Sequence, residues 1–207
     1  MVPAMLTLSR AQNLALPRVE AVVIGASAGG IDALRTVLPA LPVETPFPVM
    51  VVVHVQRDES NPVVGFFAGI CAVAVREATD KQPVEGGTVW FAPADYHLLV
   101  ESGRTFSLSI EGPVNYSRPA IDPLFESAAA AYGPALAAII LTGASPDGAR
   151  GAEAVRETGG ILVVQDPACA EATAMPQAAL ARVRPDAIGS IDEISSMLRA
   201  AAIARAR

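Results

Sequence analysis

The sequence predicts a single α/β domain: a doubly wound, mostly parallel sheet in a three-layer αβα sandwich, with an antiparallel β-hairpin or meander. The chain has 207 residues, 52% of them hydrophobic, which is enough for one well-buried domain and too short for two ordinary ones. Only 5% of the residues are aromatic. Aliphatic residues therefore supply most of the apolar mass, as expected where helices cover both faces of a parallel sheet.

The predicted organisation is a flexible N-terminal extension over residues 1–17 and one domain over residues 18–207. The extension carries only weak hydrophobic patterning. The domain begins with a strand at 21–25, a glycine-rich turn and a helix that ends before Pro39. This is the first βα unit.

The middle of the chain predicts further strands and one short helix. A continuous apolar run at 48–55 is the second strand, and Asn61 with Pro62 is typical of the start of a helix. Residues 72–75 are predicted to form a third strand. Three later segments have the pattern of an antiparallel meander: 88–92, 97–101 and 106–110.

The C-terminal half returns to alternating helices and strands. Asp122 and Pro123 are predicted to open a helix that ends near Gly133. The segments that follow are a strand at 135–141, a loop at 142–148, a helix to Gly159, a strand at 161–164 and a last helix with a capping box formed by Ser190 and Glu193.

Charge and composition exclude several classes of function. The net charge of −6 leaves no basic stripe for nucleic acid. The apolar runs are far shorter than the roughly 18 residues that a membrane helix needs, so the protein is not expected to be membrane-embedded. Cys71 and Cys169 have no metal-like spacing and no secretory signal accompanies them, which predicts reduced, partly buried thiols in a cytoplasmic protein.

Ser27 is the candidate nucleophile. It lies in Gly25-Ala-Ser-Ala-Gly-Gly, between a buried strand and a helix. Such a turn can expose the serine hydroxyl and aim the helix N-terminus at the reaction centre, while the small neighbours let a substrate come close.

A serine nucleophile needs a base and a carboxylate that orients it. His54 terminates the second predicted strand, whereas the other histidine, His97, lies in the predicted meander and is interpreted as a structural or surface residue. Asp122, Asp147 and Asp166 all lie near helix starts or strand ends, and each could be a cap or turn residue. Asp122 is interpreted as an N-cap. Spacing does not separate Asp147 from Asp166.

A glycine-rich turn after a strand can also hold a dinucleotide, which is the rival interpretation. The glycine pattern here is not Gly-x-Gly-x-x-Gly, and His54 stands at the end of the second strand, where a nucleotide fold would place an acidic residue. We therefore expect no cofactor. Two separated histidines and two unspaced cysteines also predict no metal site.

Five separated segments resemble the catalytic domain of bacterial chemotaxis protein-glutamate methylesterases (CheB-type). They occur in the family's order over nearly all of residues 20–198, and Gln165-Asp166 and Met175-Pro176 extend the match. The segments are Ile24-Gly-Ala-Ser-Ala-Gly-Gly, Val53-His54, Phe91-Ala-Pro-Ala-Asp-Tyr-His-Leu-Leu-Val, Arg118-Pro-Ala-Ile-Asp-Pro-Leu-Phe-Glu-Ser-Ala-Ala and Leu141-Thr-Gly-Ala-Ser-Pro-Asp-Gly-Ala.

The resemblance implies a serine hydrolase that removes methyl esters from glutamate side chains on the cytosolic helices of methyl-accepting chemoreceptors and releases methanol. Some members also deamidate receptor glutamines. Matched motif to motif, the family's nucleophile falls on Ser27, its base on His54 and its acid on Asp147. The backbone N–H groups of Ala28 and Ala144 are the candidate oxyanion donors.

The sequence departs from the family at three points. Ala28 stands where many members carry threonine, and the acid loop reads Gly143-Ala-Ser-Pro in place of a Gly-Met-Gly motif. Fewer than 20 residues precede the first strand, so no phosphoacceptor receiver domain is expected. The chain resembles the stand-alone form of the domain, which is then expected to be constitutively open or controlled by another protein. A separate regulatory protein or a receptor methyltransferase is the expected further partner. The alternative function is a catalytically weakened domain that binds receptors or a signalling partner.

Overall fold

The computed structural model describes residues 9–10, 19–54 and 62–206. The extension predicted for residues 1–17 lies outside the described residues except for Ser9–Arg10, whose backbone forms a short strand. The predicted helix start at Asn61 and the end of the predicted second strand, Val55, also lie outside them.

The described residues form ten strands and six α-helices. The elements are β1 Ser9–Arg10, β2 Ala21–Ala26, α1 Gly30–Val37, β3 Val49–Val53, α2 Pro62–Ala68, β4 Ala74–Glu77, β5 Thr88–Phe91, β6 His97–Val100, β7 Phe106–Ser109, α3 Ile121–Tyr132, β8 Leu136–Ile140, α4 Ala149–Glu157, β9 Ile161–Gln165, α5 Ala174–Arg182, β10 Ala187–Gly189 and α6 Ile191–Arg205.

The strands form one large sheet and one hairpin. The large sheet has the order β1-β10-β9-β8-β2-β3-β5-β4, and its pairings are parallel. Strands β6 and β7 pair antiparallel outside it. From β2 the chain winds outward to β3 and β5, and it later returns to β8 on the other side of β2. This reversal is a topological switch point, where open α/β sheets bind their ligands.

Two apolar cores cover the two faces of the sheet. Val22 and Ile24 of β2 pack in one core with apolar residues of α1, α2 and α6. Ala21 and Val23 pack in the other core with residues of α3, α4, α5 and the β6–β7 hairpin. Since successive residues of a strand point to opposite faces, the continuous apolar run of β2 serves both cores. The predicted three-layer doubly wound class is confirmed.

One predicted segment joins a different sheet. Residues 88–92 were expected in an antiparallel meander, but β5 pairs parallel with β3 and β4 in the large sheet. All four residues of β5 are buried, because apolar layers cover both sides of that sheet. Only the hairpin of β6 and β7 remains antiparallel. The prediction of a meander that includes 88–92 was therefore wrong.

The helix ends agree with the local signals at two positions. Pro62 is the first residue of α2. Ser190 caps α6, its hydroxyl accepting from Glu193 N–H while the Glu193 carboxylate accepts from Ser190 N–H, so the capping box is confirmed. Within the described ranges, no helix combines the length and the apolar character that a bilayer crossing needs.

Both cysteines are free thiols. Cys71 is half-buried and burial raises the pKa of its thiol to about 11. Cys169 is exposed, so the prediction that both are partly buried holds only for Cys71. Cys169 is the last residue of a short 3-10 turn that follows β9.

Candidate active site

The three side chains proposed to carry the chemistry follow three neighbouring parallel strands. Ser27 directly follows β2, His54 directly follows β3, and Asp147 lies in the loop between β8 and α4. Strand β2 lies between β8 and β3. The carboxyl ends of parallel strands meet at one edge of a sheet, so the fold gathers these residues at the switch point.

A tight turn presents Ser27. Gly29 has a left-handed φ of 73° and precedes α1. The Ser27 carbonyl accepts from Gly30 N–H at 2.7 Å, and Ser27 N–H donates to Thr142 O at 2.9 Å. Left-handed backbone favours glycine, which explains Gly29 at this point of the motif. The turn therefore holds a half-buried serine at the start of a helix.

Thr142 holds the turn that carries Ser27, the candidate nucleophile turn, and Gln165 holds Thr142. The buried Thr142 hydroxyl donates to Ala28 O at 2.9 Å and accepts from Ala172 N–H at 2.8 Å. The Gln165 side-chain oxygen accepts from Thr142 N–H at 2.7 Å. Sequence reasoning assigned neither residue a role. The signal was a polar residue directly after each of two buried strand segments.

Asp147 is bonded to His54 and is completely buried. The Asp147 Oδ2 atom lies 2.9 Å from His54 Nε2 and accepts from Ile121 N–H at 2.6 Å. Its Oδ1 atom accepts from Asn115 Nδ2 at 3.0 Å, from Gly148 N–H at 3.0 Å and from Asp122 N–H at 3.2 Å.

These hydrogen bonds set the charge of Asp147. Burial by itself raises the pKa of a carboxyl group. The hydrogen bonds from His54, Ile121 N–H and Asn115 outweigh burial and hold the pKa of Asp147 below its ordinary value. Asp147 is therefore ionised at neutral pH and can keep the Nε2 proton on His54.

The N-cap interpretation of Asp122 was wrong. Helix α3 begins at Ile121, its N-cap residue is Ala120, and no side chain of that residue caps it. Asp147 instead accepts from the first two N–H groups of α3, at Ile121 and Asp122. A residue 25 positions away in sequence therefore does what a local cap would have done.

Asp122 forms a second buried carboxylate beside Asp147. Its Oδ1 atom accepts from Gly151 N–H at 2.8 Å, which ties α3 to α4. Its Oδ2 atom accepts from Asn115 Nδ2 at 3.2 Å. Burial raises the pKa of Asp122, and the nearby charge of Asp147 raises it further against the lowering effect of the Gly151 bond.

The remaining nitrogen of His54 faces Ser117. Ser117 Oγ lies 3.3 Å from His54 Nδ1. Among the described residues, the hydrogen bonds do not include one from Ser27 Oγ to His54. The structure thus brings His54 and Asp147 into direct contact and places Ser27 at the adjoining strand end. Sequence reasoning missed Ser117 and Asn115, although both lie within the three residues before the Arg118-Pro119 segment of the family motif.

His97 and Asp166 have structural roles. His97 is buried, with Nε2 at 3.1 Å from Gly112 O and Nδ1 accepting from Ala120 N–H at 3.2 Å, so its structural interpretation is confirmed. Asp166 caps a short 3-10 turn by accepting from Ala168 N–H at 2.9 Å. Its side chain thus has a local partner, and the bond to His54 belongs to Asp147.

Two backbone N–H groups near the serine are available for a ligand. Ala28 and Ala144 are exposed, and neither N–H donates to another described residue. Ala28 follows Ser27 at the start of α1, and Ala144 lies in the Asp147 loop. Within residues 19–54 and 62–206, no group of three potential metal-ligating side chains occurs.

Proteins of similar sequence are named as protein-glutamate methylesterases/protein-glutamine glutaminases. A protein of Leptospira interrogans named "Putative protein-glutamate methylesterase/protein-glutamine glutaminase" is 42% identical over 178 residues, which cover 86% of this chain and 92% of that protein. Protein-glutamate methylesterase/protein-glutamine glutaminase 2 of Anaeromyxobacter dehalogenans is 39% identical over 88% of this chain and 53% of its own length.

A solved structure has the same fold. The catalytic domain of Thermotoga maritima CheB methylesterase matches with a TM-score of 0.83 and 31% identity, over 87% of this chain and 97% of that one. The family model described as CheB methylesterase matches residues 22–198. The chain therefore belongs to the CheB methylesterase family.

Proposed function

We propose that this protein is a serine esterase that removes methyl groups from glutamate methyl esters on the cytosolic helices of methyl-accepting chemoreceptors, in the cytoplasm. The observation that carries the proposal is the hydrogen bond between His54 Nε2 and the buried Asp147, beside the strand end that presents Ser27. Family membership supplies the class of substrate.

His54 is the proton acceptor in this proposal, through its Nδ1 atom. Nε2 is engaged by Asp147, which favours the tautomer with a proton on Nε2 and a lone pair on Nδ1. Nδ1 takes the proton of Ser27 as Ser27 Oγ attacks the ester carbonyl. The same nitrogen returns that proton to the leaving methoxide, so that methanol departs and an acyl-enzyme remains.

Water completes the cycle by the same route. His54 Nδ1 takes a proton from water as it attacks the acyl-enzyme, and gives that proton back to Ser27 Oγ when the glutamate leaves. Asp147 stabilises the imidazolium in both halves. A glutamine side chain would follow the same path with ammonia as the leaving group, in keeping with the double name of the relatives.

The N–H groups of Ala28 and Ala144 are the proposed oxyanion donors. Both residues are exposed, and Ala28 directly precedes Gly29, the N-cap residue of α1, where the helix dipole favours negative charge. Loss of one such donor costs about 3 kcal/mol of transition-state stabilisation in serine hydrolases. The position of the nucleophile turn, held by Thr142, therefore matters for the rate.

The proposal is tested by methanol release from methylated receptor with wild type, Ser27→Ala and Ser190→Ala. Ser27→Ala is expected to lose about 10³-fold or more of the rate, since the acyl-enzyme cannot form. Ser190→Ala is the matched control, because it removes a serine hydroxyl that caps α6 and contacts no proposed catalytic residue. Wild type should also be labelled at Ser27 by a serine-directed phosphonate.

Demethylation by Ser27→Ala at the wild-type rate would refute the proposal. Receptor binding by wild type without methanol release and without phosphonate labelling would instead indicate a domain that binds receptors and does no chemistry.

A further inference from the structure

The turn of residues 114–117 touches both the base and the acid of the proposed site. Val114 N–H donates to Ser117 O at 3.1 Å and Ser117 N–H donates to Val114 O at 2.9 Å. Asn115 and Tyr116, between them, have left-handed φ values of 50° and 65°. Two left-handed residues in a two-residue loop define a type I′ turn, which is a compact and rigid unit.

Asn115 anchors this turn on the buried carboxylates. Its Nδ2 group donates to Asp147 Oδ1 at 3.0 Å and lies 3.2 Å from Asp122 Oδ2. Hydrogen bonds to ionised acceptors are stronger than those between neutral groups. The position of the turn is therefore set relative to Asp147, the group that also orients His54.

The anchored turn presents the Ser117 hydroxyl to the nitrogen that should receive the proton of Ser27. Ser117 Oγ lies 3.3 Å from His54 Nδ1, while Asp147 occupies Nε2. With the proton on Nε2, Nδ1 can only accept, so the Ser117 hydroxyl donates to it. Nδ1 has one lone pair and cannot accept full hydrogen bonds from two hydroxyl groups at once. The 3.3 Å between Ser117 Oγ and Nδ1 is longer than in most hydroxyl hydrogen bonds, so replacement of Ser117 by another donor costs little free energy.

We infer that Ser117 is a positioning residue that holds the base nitrogen of His54 in the resting enzyme, and that Ser27 becomes a nucleophile by displacing the Ser117 hydroxyl from Nδ1. The inference rests on the proposed role of Ser27. In this role Ser117 lowers the reactivity of Ser27 in the absence of substrate, because the two hydroxyl groups compete for one acceptor, His54 Nδ1. Tyr116, beside Ser117 in the turn, is fully exposed.

The test measures the second-order rate of Ser27 labelling by a serine-directed phosphonate in the full chain. Ser117→Ala removes the competing hydroxyl and is expected to label about 2- to 10-fold faster than wild type, the factor that one modest hydrogen bond controls. Ser117→Thr keeps a hydroxyl and is expected to label close to the wild-type rate. Ser109→Ala is the matched control, because among the described residues its hydroxyl accepts one hydrogen bond, from Glu111 N–H next to the β6–β7 hairpin.

A second measurement does not depend on Ser27. Nitrogen NMR of His54 should show Nδ1 as a hydrogen-bonded acceptor in wild type and Ser117→Thr, and as a less strongly bonded acceptor in Ser117→Ala, with the proton on Nε2 in all three. Thermal unfolding of each variant reports whether it is folded, and the NMR comparison can be repeated in a Ser27→Ala background.

The outcomes separate the two proposals. Labelling of Ser27 in wild type with an equal or slower rate in Ser117→Ala overturns the role of Ser117 and leaves the proposed esterase standing. An unchanged Nδ1 signal in Ser117→Ala overturns it as well. Absence of labelling at Ser27 in every variant overturns the proposed function, and the role of Ser117 falls with it.

Discussion

Replacement of Asp147 by asparagine tests the link between the buried carboxylate and the proton on His54. Asparagine has the same shape but carries one NH₂ group in place of an acceptor oxygen. At the Oδ1 position that group would face three N–H donors, from Asn115, Asp122 and Gly148. At the Oδ2 position it would face one backbone donor, Ile121 N–H, and His54.

The orientation with the NH₂ group at the Oδ2 position faces fewer N–H donors and is therefore preferred. It determines which ring nitrogen of His54 carries the proton. An NH₂ group at the Oδ2 position needs a lone pair on Nε2, so the imidazole proton moves to Nδ1. Nδ1 can then no longer accept the proton of Ser27. In a serine hydrolase this exchange of tautomers lowers kcat by about 10⁴-fold, or about 5.4 kcal/mol of activation free energy.

The cost to stability is smaller. Ile121 N–H is the one backbone donor that loses its acceptor, and an unsatisfied buried donor costs about 1–3 kcal/mol. We therefore expect Asp147→Asn to be folded but nearly inactive. The assays are the steady-state rate of ester hydrolysis and urea unfolding of the same preparations.

Asp166→Asn is the matched control, because Asp166 is the aspartate that the sequence could not separate from Asp147. It caps a surface turn, so we expect a loss of about 1 kcal/mol of stability or less and an unchanged rate. A folded Asp147→Asn enzyme with a rate within tenfold of wild type would refute the tautomer argument. An equal loss of rate in Asp166→Asn would also refute the tautomer argument.

Three further predictions concern the supporting residues. Thr142→Val should lower the free energy of unfolding by about 1–3 kcal/mol and slow phosphonate labelling, because the hydroxyl that bonds Ala28 O is lost; unchanged labelling would contradict it. Asp122 has a raised pKa in the folded state, so its contribution to stability is present below the ordinary carboxyl pKa of about 3.9 and is lost as pH rises through the raised pKa. Wild type should therefore lose stability relative to Asp122→Asn as pH rises from acid to neutral in urea unfolding, and a constant difference would refute this. Ser190→Ala should cost about 1 kcal/mol in thermal unfolding, through loss of the cap on Glu193 N–H, while leaving ester hydrolysis unchanged; reduced hydrolysis by folded protein would contradict this.

Local patterns predicted most of the strands and helices. Glycines, prolines and the Ser190 capping box act over a few residues, so their effect can be deduced from neighbours in sequence. The pairing partner of β5 could not be deduced in this way. A short apolar segment can be buried on one face or on two, and only the layers that pack around Thr88–Phe91 decide which.

Some residues of the proposed site could likewise be predicted from local sequence, and others could not. Ser27 and His54 were selected because they lie at the ends of two predicted strands, and parallel strands end at one edge of a sheet. Asp147 required the family resemblance, since Asp166 has an equally good local context. The carboxylate of Asp147 reaches His54 across 93 residues of chain, and no local signal encodes that contact.

By itself, the sequence determined the class of fold, the nucleophile turn and the type of chemistry, because these depend on periodicity, turn residues and the kinds of side chain present. Tertiary structure decided which aspartate orients His54, that the same carboxylate caps α3, and that Ser117 occupies Nδ1. These contacts join segments far apart in the chain, and they form only when the sheet has paired and the helices have packed on it.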